Sequence, residues 1–391
     1  MAAIRASRTA VLGGHREWCD GCGFERYLYH SCRNRHCRAP TGMDAGWSCQ
    51  TAETTAWVEA RHSELLPVPH FHNVFTLPHE FHPLILFSER NQRALLKLLF
   101  DAAAQTLLQF GRQTFGGKIG FLLVLHTWDQ QLRAHFHVHA LIPSGALSAD
   151  GSQWIAGGRQ FLFPVRGLSK MFRGQYVDGV ARLLEGGELD LPPQLAALGE
   201  LAGRRRLLRQ WRRKSWVVYS KAPFAGPRKL VDYLGRYTHR VAISNQRLLS
   251  CDNGEVSFTY RDRSDGDRRK TMRLPADEFL GRFLQHVLPD RFMRIRHYGL
   301  LAGHRPQGGR DKQQRLARCR ELLGAAAVAV DESPSSRTTA EWMLSLGIDI
   351  TRCPCCGDIL HREVLPPKPT RIEVSAASSA AVVSFTPWDT S

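Results

Sequence analysis

The sequence has no run of about 18 apolar residues, so no segment reads as a membrane-spanning helix. Its opening stretch, Met1 to Thr9, lacks the apolar core of a secretory leader. No internal repeat is visible, which argues against a solenoid. Acidic side chains are scarce relative to basic ones: 36 Asp and Glu against 53 Lys and Arg, a formal net charge of +17. The expected setting is therefore cytoplasmic with no membrane partner, and the expected partner is a polyanion, DNA or RNA first. The 391 residues leave room for two or three domains, and 43% hydrophobic residues is ordinary for a globular chain.

Ten cysteines are present, and in a reducing compartment they are not expected to form disulfides. Five fall between Cys19 and Cys49 and three between Cys353 and Cys356. Clusters of this kind point to zinc. Residues 15–49 are rich in Cys, His, Gly and Arg and poor in periodic apolar residues, as in a small metal-stapled module. From Leu365 onward the chain is rich in Pro, Ser and Ala and is expected to be disordered.

Between these ends the pattern alternates helix and strand. Helices are expected over 51–65 with Thr51 as a cap, 84–114, 176–203 with a break at Pro192, from Pro227 through Tyr237, and over 276–288. Strands are expected over 70–78, Gly120 to Trp128, His135 to Pro143 and Trp216 to Tyr219, with a hairpin around Asp265-Gly266. Residues 144–160 read as loop.

The sharpest local feature is His135-Phe136-His137-Val138-His139. In a strand, alternate side chains share a face, so the three imidazoles point one way while Phe136 and Val138 point the other. A rigid row of imidazoles backed by an apolar face suits a metal site, the alternative being a polar sheet face. His126, on the neighbouring strand, is placed to add a ligand across the hairpin; His70 and His72 are weaker candidates. Tyr233 and Tyr237 lie four apart and share a helix face, which Lys229 extends. Such pairs are more often core or rim residues, but tyrosine also serves as a nucleophile toward phosphorus.

In this order, the motifs resemble the HUH endonuclease superfamily, and more closely the two-tyrosine rolling-circle transposases of the insertion sequence 91 family. The resemblance runs from Gly13 to Arg305. It covers GGHREWCDGCG and SCRNRHC, FTLP at Phe75 to Pro78, LHTW at Leu125 to Trp128, HFHVH at His135 to His139, WVVYSKAPFAGP from Trp216, YLGRYTHRVAISNQRL from Tyr233 and HVLPDRFMRIRHYGLLA from His286. It implies an α+β fold, a central antiparallel sheet with flanking helices, plus an N-terminal zinc-binding module. It also implies that His137 and His139 hold Mg²⁺ or Mn²⁺ against the scissile phosphate, the third ligand being left between His126 and His135. Tyr233 and Tyr237 would attack in turn, each becoming linked to a 5′ phosphate of single-stranded DNA at the element ends and the target. Two other readings keep part of this. One is a zinc-dependent DNA-binding protein derived from such a transposase that has lost catalysis; the other is a replication initiator with the same chemistry. Oligomeric state is not legible.

The sequence departs from the family in places. Cys19 and Cys22 form a first CxxC pair, but Pro40 stands where the partner of Cys37 belongs. The zinc ligands are therefore sought among Cys19, Cys22, Cys32, Cys37 and Cys49, with His36 as a stand-in. Phe136 replaces the usual proline, off the ligand face. The motif series also starts late, as in a shortened copy. At the other end, CPCCGDILH offers Cys353, Cys355 and Cys356, with only Cys319 and His361 as evident complements to a second site. Arg204, Arg205, Arg206, Arg209, Arg212, Arg213 and Lys214 form a basic cluster expected to track DNA phosphates, with the Trp211 indole available for base stacking. A second basic stretch, Arg261 to Lys270, is diluted by three aspartates. The implied domains are a zinc module and linker helix (1–62), a catalytic domain (63–250), an accessory DNA-binding region (251–330) and a C-terminal knuckle with tail (331–391).

Overall fold

The computed structural model describes residues 2–32, 34, 37, 50–221, 226–238, 241–303, 308–325, 344 and 349–368. The chain forms two compact units: Met1–Cys32 with Met343–Ser391, and Arg33–Trp342. The tail expected to be disordered lies outside the described residues from 369 onward.

In the smaller unit, β1 (Gly14–Trp18) and β2 (Glu25–Tyr29) form a hairpin, and β13 (His361–Leu365) pairs antiparallel with the free edge of β1. The register sets Glu17 directly between Arg26 and Arg362. Its carboxylate is fully buried and accepts from Arg26 Nε at 2.7 Å and Arg362 Nε at 2.8 Å. A buried charge held by two guanidinium groups is costly to break from either side, which ties the two ends of the chain in one register. The modules read from the sequence as separate, at 1–62 and 331–391, thus contribute to a single unit. The pairing between strands more than 300 residues apart leaves no local trace in the sequence.

The larger unit carries β3 (His70–Thr76), β4 (Gly120–Trp128), β5 (Ala134–Pro143), β6 (Gly145–Leu147), β7 (Trp154–Ala156), β8 (Val218–Lys221), β9 (Leu248–Asp252), β10 (Glu255–Asp262), β11 (Arg268–Pro275) and β12 (Ile295–Gly299). Five of these make an antiparallel sheet in the order β12-β4-β5-β3-β8, with the histidine strand β5 at its centre. One face packs the main apolar core. Phe121, Leu123, Leu125, Phe136, Val138 and Ala140 lie fully buried with Leu95, Leu99 and Phe100 of the helix Glu89–Phe115 and Phe172 and Tyr176 of the helix Val165–Glu185. On the other face Leu122, Val124 and Leu141 meet Leu230, Val231 and Leu234 of the helix Gly226–Thr238, with Trp57 and Val58 of the helix Thr51–Glu64 alongside. The sheet is therefore covered on both sides, and polar groups on the second face are buried with it.

Several elements differ from the sequence reading. The expected helix over 84–114 is two, His82–Leu86 and Glu89–Phe115, because the Ser88 side chain accepts from Asn91 N and caps the second. The expected loop 144–160 contains the β6-β7 hairpin. The helix expected from 176 begins at Val165 and ends at Glu185; Pro192 and Pro193 then open a short 3₁₀ segment before the helix Leu201–Arg213. The cap position is Gln50 rather than the expected Thr51, and it makes no side-chain cap bond. Beyond residue 250, β9, β10 and β11 form a separate meander, but β12 returns to pair with β4 as an edge of the main sheet. The segment assigned to an accessory region thus completes the main sheet.

Gly235 marks where the helix Gly226–Thr238 crosses the helix Thr51–Glu64: a Cβ there would stand 2.3 Å from Val58 Cγ2. At an open helical position Gly→Ala stabilises by about 1 kcal/mol. At this crossing Gly235→Ala is expected to destabilise instead, and Gly235→Val to cost about 1–3 kcal/mol by overpacking. Urea unfolding curves of the two variants check this; a gain for Gly235→Ala contradicts the crossing.

Candidate active site

The β4-β5 hairpin sets His126 opposite His137, with His139 two residues further along the same face. Ligand nitrogens of the three lie within 4.8 Å of one another. Ring centroids are 4.2 Å apart for His126 and His139, 4.9 Å for His137 and His139, and 5.3 Å for His126 and His137. All three side chains are buried. The sequence left the third ligand between His126 and His135; the structure brings His126 into the cluster and leaves His135 at its rim. There the His135 carbonyl takes a hydrogen bond from His137 Nδ1 at 2.8 Å, which leaves Nε2 as the lone-pair nitrogen. His72, on β3, contacts His139 Nδ1 through Nε2 at 2.7 Å with the two rings stacked. His139 Nε2 is buried with no hydrogen-bond partner among the described residues. A buried orphan nitrogen is costly, and a metal ion is a group that would satisfy it. His70 is turned to the Val68 carbonyl, at 2.9 Å from its Nδ1.

The electrostatics suit ligation. Burial, followed by the neighbouring His135, moves the His137 pKa down to about 3. Burial and the adjoining imidazoles hold His126 and His139 well below the usual histidine range. Burial alone lowers His72 to about 4. The rings are neutral at physiological pH, the form that binds a metal. Arg294, not singled out in the sequence beyond its motif, lies buried with its guanidinium 5.6 Å from the Trp128 ring centroid and adds to the lowering at His126.

Leu230, Val231 and Leu234 anchor the helix Gly226–Thr238 on this face and set Tyr233 beside the histidines. Its ring is 6.2 Å from that of His139, edge to face, and the residue is 38% exposed, so it is reachable from solvent. Tyr237 follows one turn later; its side chain lies outside the described residues. Lys229 is exposed.

In the smaller unit, Cys19, Cys22, Cys353 and Cys356 bring their sulfurs within 4.8 Å of one another, with Cys19 to Cys356 at 3.5 Å and Cys22 to Cys353 at 3.6 Å. Four thiolates about 2.3 Å from a tetrahedral zinc stand about 3.8 Å apart, so the set fits zinc. The two halves share one geometry. Gly23 N donates to Cys19 O and Gly357 N to Cys353 O, each glycine at positive φ, and Cys19 N and Cys353 N donate to Phe24 O and Asp358 O. Only glycine takes that turn without strain. Desolvation opposes ionisation at Cys353, but the backbone N–H groups of Cys356 and Cys355 outweigh it and pull the thiol down to about 6.

The expected ligand set shares Cys19 and Cys22 with this cluster. Cys32 and Cys37 are outside the cluster, Cys37 in the other unit, and Cys49 and His36 lie outside the described residues. Cys353 and Cys356, expected in a separate C-terminal site, lie instead with Cys19 and Cys22 in this cluster. Cys355 stays exposed and Cys319 is buried with Leu300, Leu301 and Leu316 in the larger unit. His361 instead pairs with Asp20 and stacks on Trp18.

The basic cluster occupies the helix Leu201–Arg213 and its cap, Lys214. Arg205, Arg206, Arg209, Arg213 and Lys214 line an open groove of about 680 Å³. Arg204 bonds the Leu198 carbonyl, Arg212 pairs with Asp178, and Lys214 with Glu80. Trp211 does not serve as a stacking surface: it is 3% exposed, packed on Phe81 at 4.5 Å between ring centroids.

A family model described as "Putative transposase" matches residues 120–308, and one described as "Transposase zinc-binding domain" matches residues 1–77. The histidine cluster and the first cysteine pair thus fall within the matched transposase segments, while Cys353 and Cys356 lie beyond both. The chain is 43% identical over 369 residues to "Putative transposase y4qJ" of Sinorhizobium fredii, covering 93% of this chain and 88% of the relative. It is 30% identical over 364 residues to "Transposase for insertion sequence element IS801" of Pseudomonas savastanoi pv. phaseolicola, covering 91% and 81%. The chain belongs to the insertion sequence 91 family of transposases. Among solved structures, the conjugative relaxase TrwC in complex with oriT DNA matches 43% of this chain and 71% of its own at 18% identity and a TM-score of 0.24, a score on which nothing further is built. Among the described residues no helix is long and apolar enough to cross a membrane.

Metal analysis of purified variants tests the cysteine set. Cys356→Ser is expected to lose the bound zinc, whereas Cys32→Ser and Cys37→Ser retain it; the opposite pattern overturns the assignment.

Proposed function

We propose that this transposase cleaves and rejoins single-stranded DNA, at the element ends and the target, through a 5′-phosphotyrosine intermediate in rolling-circle transposition. The observation that supports this best is Tyr233, its ring 6.2 Å from His139, at the edge of the buried imidazole cluster. His126, His137 and His139 would hold a divalent cation, Mg²⁺ or Mn²⁺, which when bound polarises the scissile phosphate and offsets the charge that develops on its oxygens.

The residues of the chain supply the remainder. His135 through its carbonyl and His72 through its ring fix the orientation of His137 and His139. The apolar flank of Leu122, Val124, Leu230 and Leu234 keeps water from the back of the cluster. The Tyr233 oxygen attacks phosphorus and the bond from phosphorus to the 3′ oxygen breaks. The phenol gives up its proton and the departing 3′ oxygen takes one up, so the step is balanced. The new ester conserves the energy of the broken phosphodiester, and a free 3′ hydroxyl reverses the step without a nucleotide cofactor. Tyr237, four residues on, is the second nucleophile and allows another strand to be cut while the first is still held.

The test is an adduct assay with a single-stranded end sequence and Mg²⁺ or Mn²⁺, read on a denaturing gel. The native protein is expected to form a denaturation-resistant protein–DNA band. Tyr233→Phe with Tyr237→Phe removes it, and His137→Ala with His139→Ala lowers its yield about a hundredfold or more, the equivalent of a few kcal/mol of lost electrophilic assistance. An adduct that survives the double tyrosine variant makes the nucleophile assignment wrong. No adduct with either metal favours a DNA-binding protein that has lost catalysis.

A further inference from the structure

We propose that a cavity beside Tyr233 binds the nucleotide adjoining the scissile phosphate, with Arg261 and Arg263 taking that nucleotide's phosphate. This rests on the tyrosine-cleavage reading and names a binding site for the substrate strand that the reading itself lacks.

The cavity encloses about 560 Å³, within the range of roughly 300–1,000 Å³ for small-molecule sites. Tyr233 closes one side, Trp128 at the end of β4 another, and Tyr260, Arg261 and Arg263 project from β10 and its turn. The aromatic groups give a base a surface to lie on. Arg247 and Arg269 also face it, against a single acidic residue, Asp267.

The charges around the turn are sorted. Two of the three aspartates that dilute this basic stretch in the sequence serve the turn itself. Asp262 accepts from Ser264 N at 3.0 Å and, with Asp265, holds Lys270 at 2.8 and 3.0 Å; Asp265 also faces Arg268 at 3.6 Å. Arg247 is occupied by the Thr259 and Gln130 carbonyls, and Arg269 reaches Thr259 Oγ1 at 3.4 Å. The guanidinium groups of Arg261 and Arg263 have no hydrogen bond or ion pair among the described residues. Two unneutralised arginines on a turn braced by ion pairs are a preorganised phosphate site.

Two further observations locate this site at the chemistry. Tyr233, which lines the cavity, stands with its ring 6.2 Å from that of His139, so the cavity adjoins the imidazole cluster. Ala242 and Asp267, both lining the cavity, adopt left-handed φ of 59° and 61°, a conformation strained for a non-glycine residue and concentrated at binding sites.

The experiment is a methylphosphonate scan of the single-stranded end oligonucleotide, in which one phosphate at a time loses its charge. Binding of the full chain is read by fluorescence anisotropy, and the cut position is fixed by the tyrosine adduct. With the native protein, neutralising a phosphate next to the cut is expected to weaken binding about tenfold or more, as for a lost charge-assisted hydrogen bond. With Arg261→Ala and Arg263→Ala together, the unmodified strand binds weaker by a similar factor and the same methylphosphonate adds no further loss, while Arg263→Lys restores part of the coupling. Circular dichroism and zinc content check that the variant is folded, and the position-specific coupling is a readout that a misfolded chain does not produce. If an adduct forms but the losses add at every phosphate, or the double variant binds like the native chain, the cavity assignment is wrong and the cleavage reading stands. If the native protein forms no adduct, the cleavage reading fails and this inference with it.

Discussion

The constraint on which the larger unit depends is that three imidazoles must converge while remaining neutral and out of water. Burial favours the uncharged ring, and the neighbouring charges push the same way, opposed at His137 by the hydrogen bond to the His135 carbonyl. Burial also leaves His139 Nε2 with no partner among the described residues, at a cost of about 1–3 kcal/mol for such a group. A loop would relieve that cost by turning the ring to solvent. A central strand paired on both sides cannot, and β5 has β4 and β3 as neighbours. Its other face is locked by Phe136, Val138 and Ala140 in the main core. The antiparallel sheet is thus the means by which a chain keeps a destabilised, metal-competent cluster in place.

The smaller unit applies the same logic with sulfur. A unit built on three short strands buries little apolar surface, and among the described residues its buried hydrophobic cluster is only Cys19, Cys353 and Leu360 with Phe24 packed against it. Small units of this kind need a staple. Zinc held by the two matching CxxCG turns would supply one, and apparent free energies for structural zinc sites of about 10–16 kcal/mol are ample for a fold of this size. Because the sulfurs of Cys19 and Cys356 meet across a sequence separation of 337 residues, the staple closes a very long loop. The buried Glu17 between Arg26 and Arg362 fixes the same register.

Legibility in the sequence followed the range of the interaction. The β4-β5 hairpin and the helix bearing the two tyrosines are local patterns, and alternation or helical spacing is enough to find them. His126 was open to the same reading because it faces His137 across that hairpin. The partner of the first CxxC was not legible. Proximity in sequence favoured Cys32, Cys37 and Cys49, whereas the sulfurs come from Cys353 and Cys356; the glycines Gly23 and Gly357, one after each pair, were the signal that matched the halves. β12 escaped notice because an edge strand with half-exposed residues carries little periodicity. Trp211 was read as exposed from its basic neighbours, yet its own face of the helix turns inward onto Phe81. The ion pairs that bind up Asp262 and Asp265 and leave Arg263 free depend on a turn geometry that composition does not convey.

The central claim is that the neutral histidine cluster is a divalent-metal site facing Tyr233. Crystals of the protein soaked in Mn²⁺ and measured at a wavelength where manganese scatters anomalously test it most directly. The account predicts one strong anomalous peak bounded by His126, His137 and His139, on the side of the sheet that carries Tyr233. A fully loaded protein whose manganese lies elsewhere, with the three imidazoles unliganded, would contradict it.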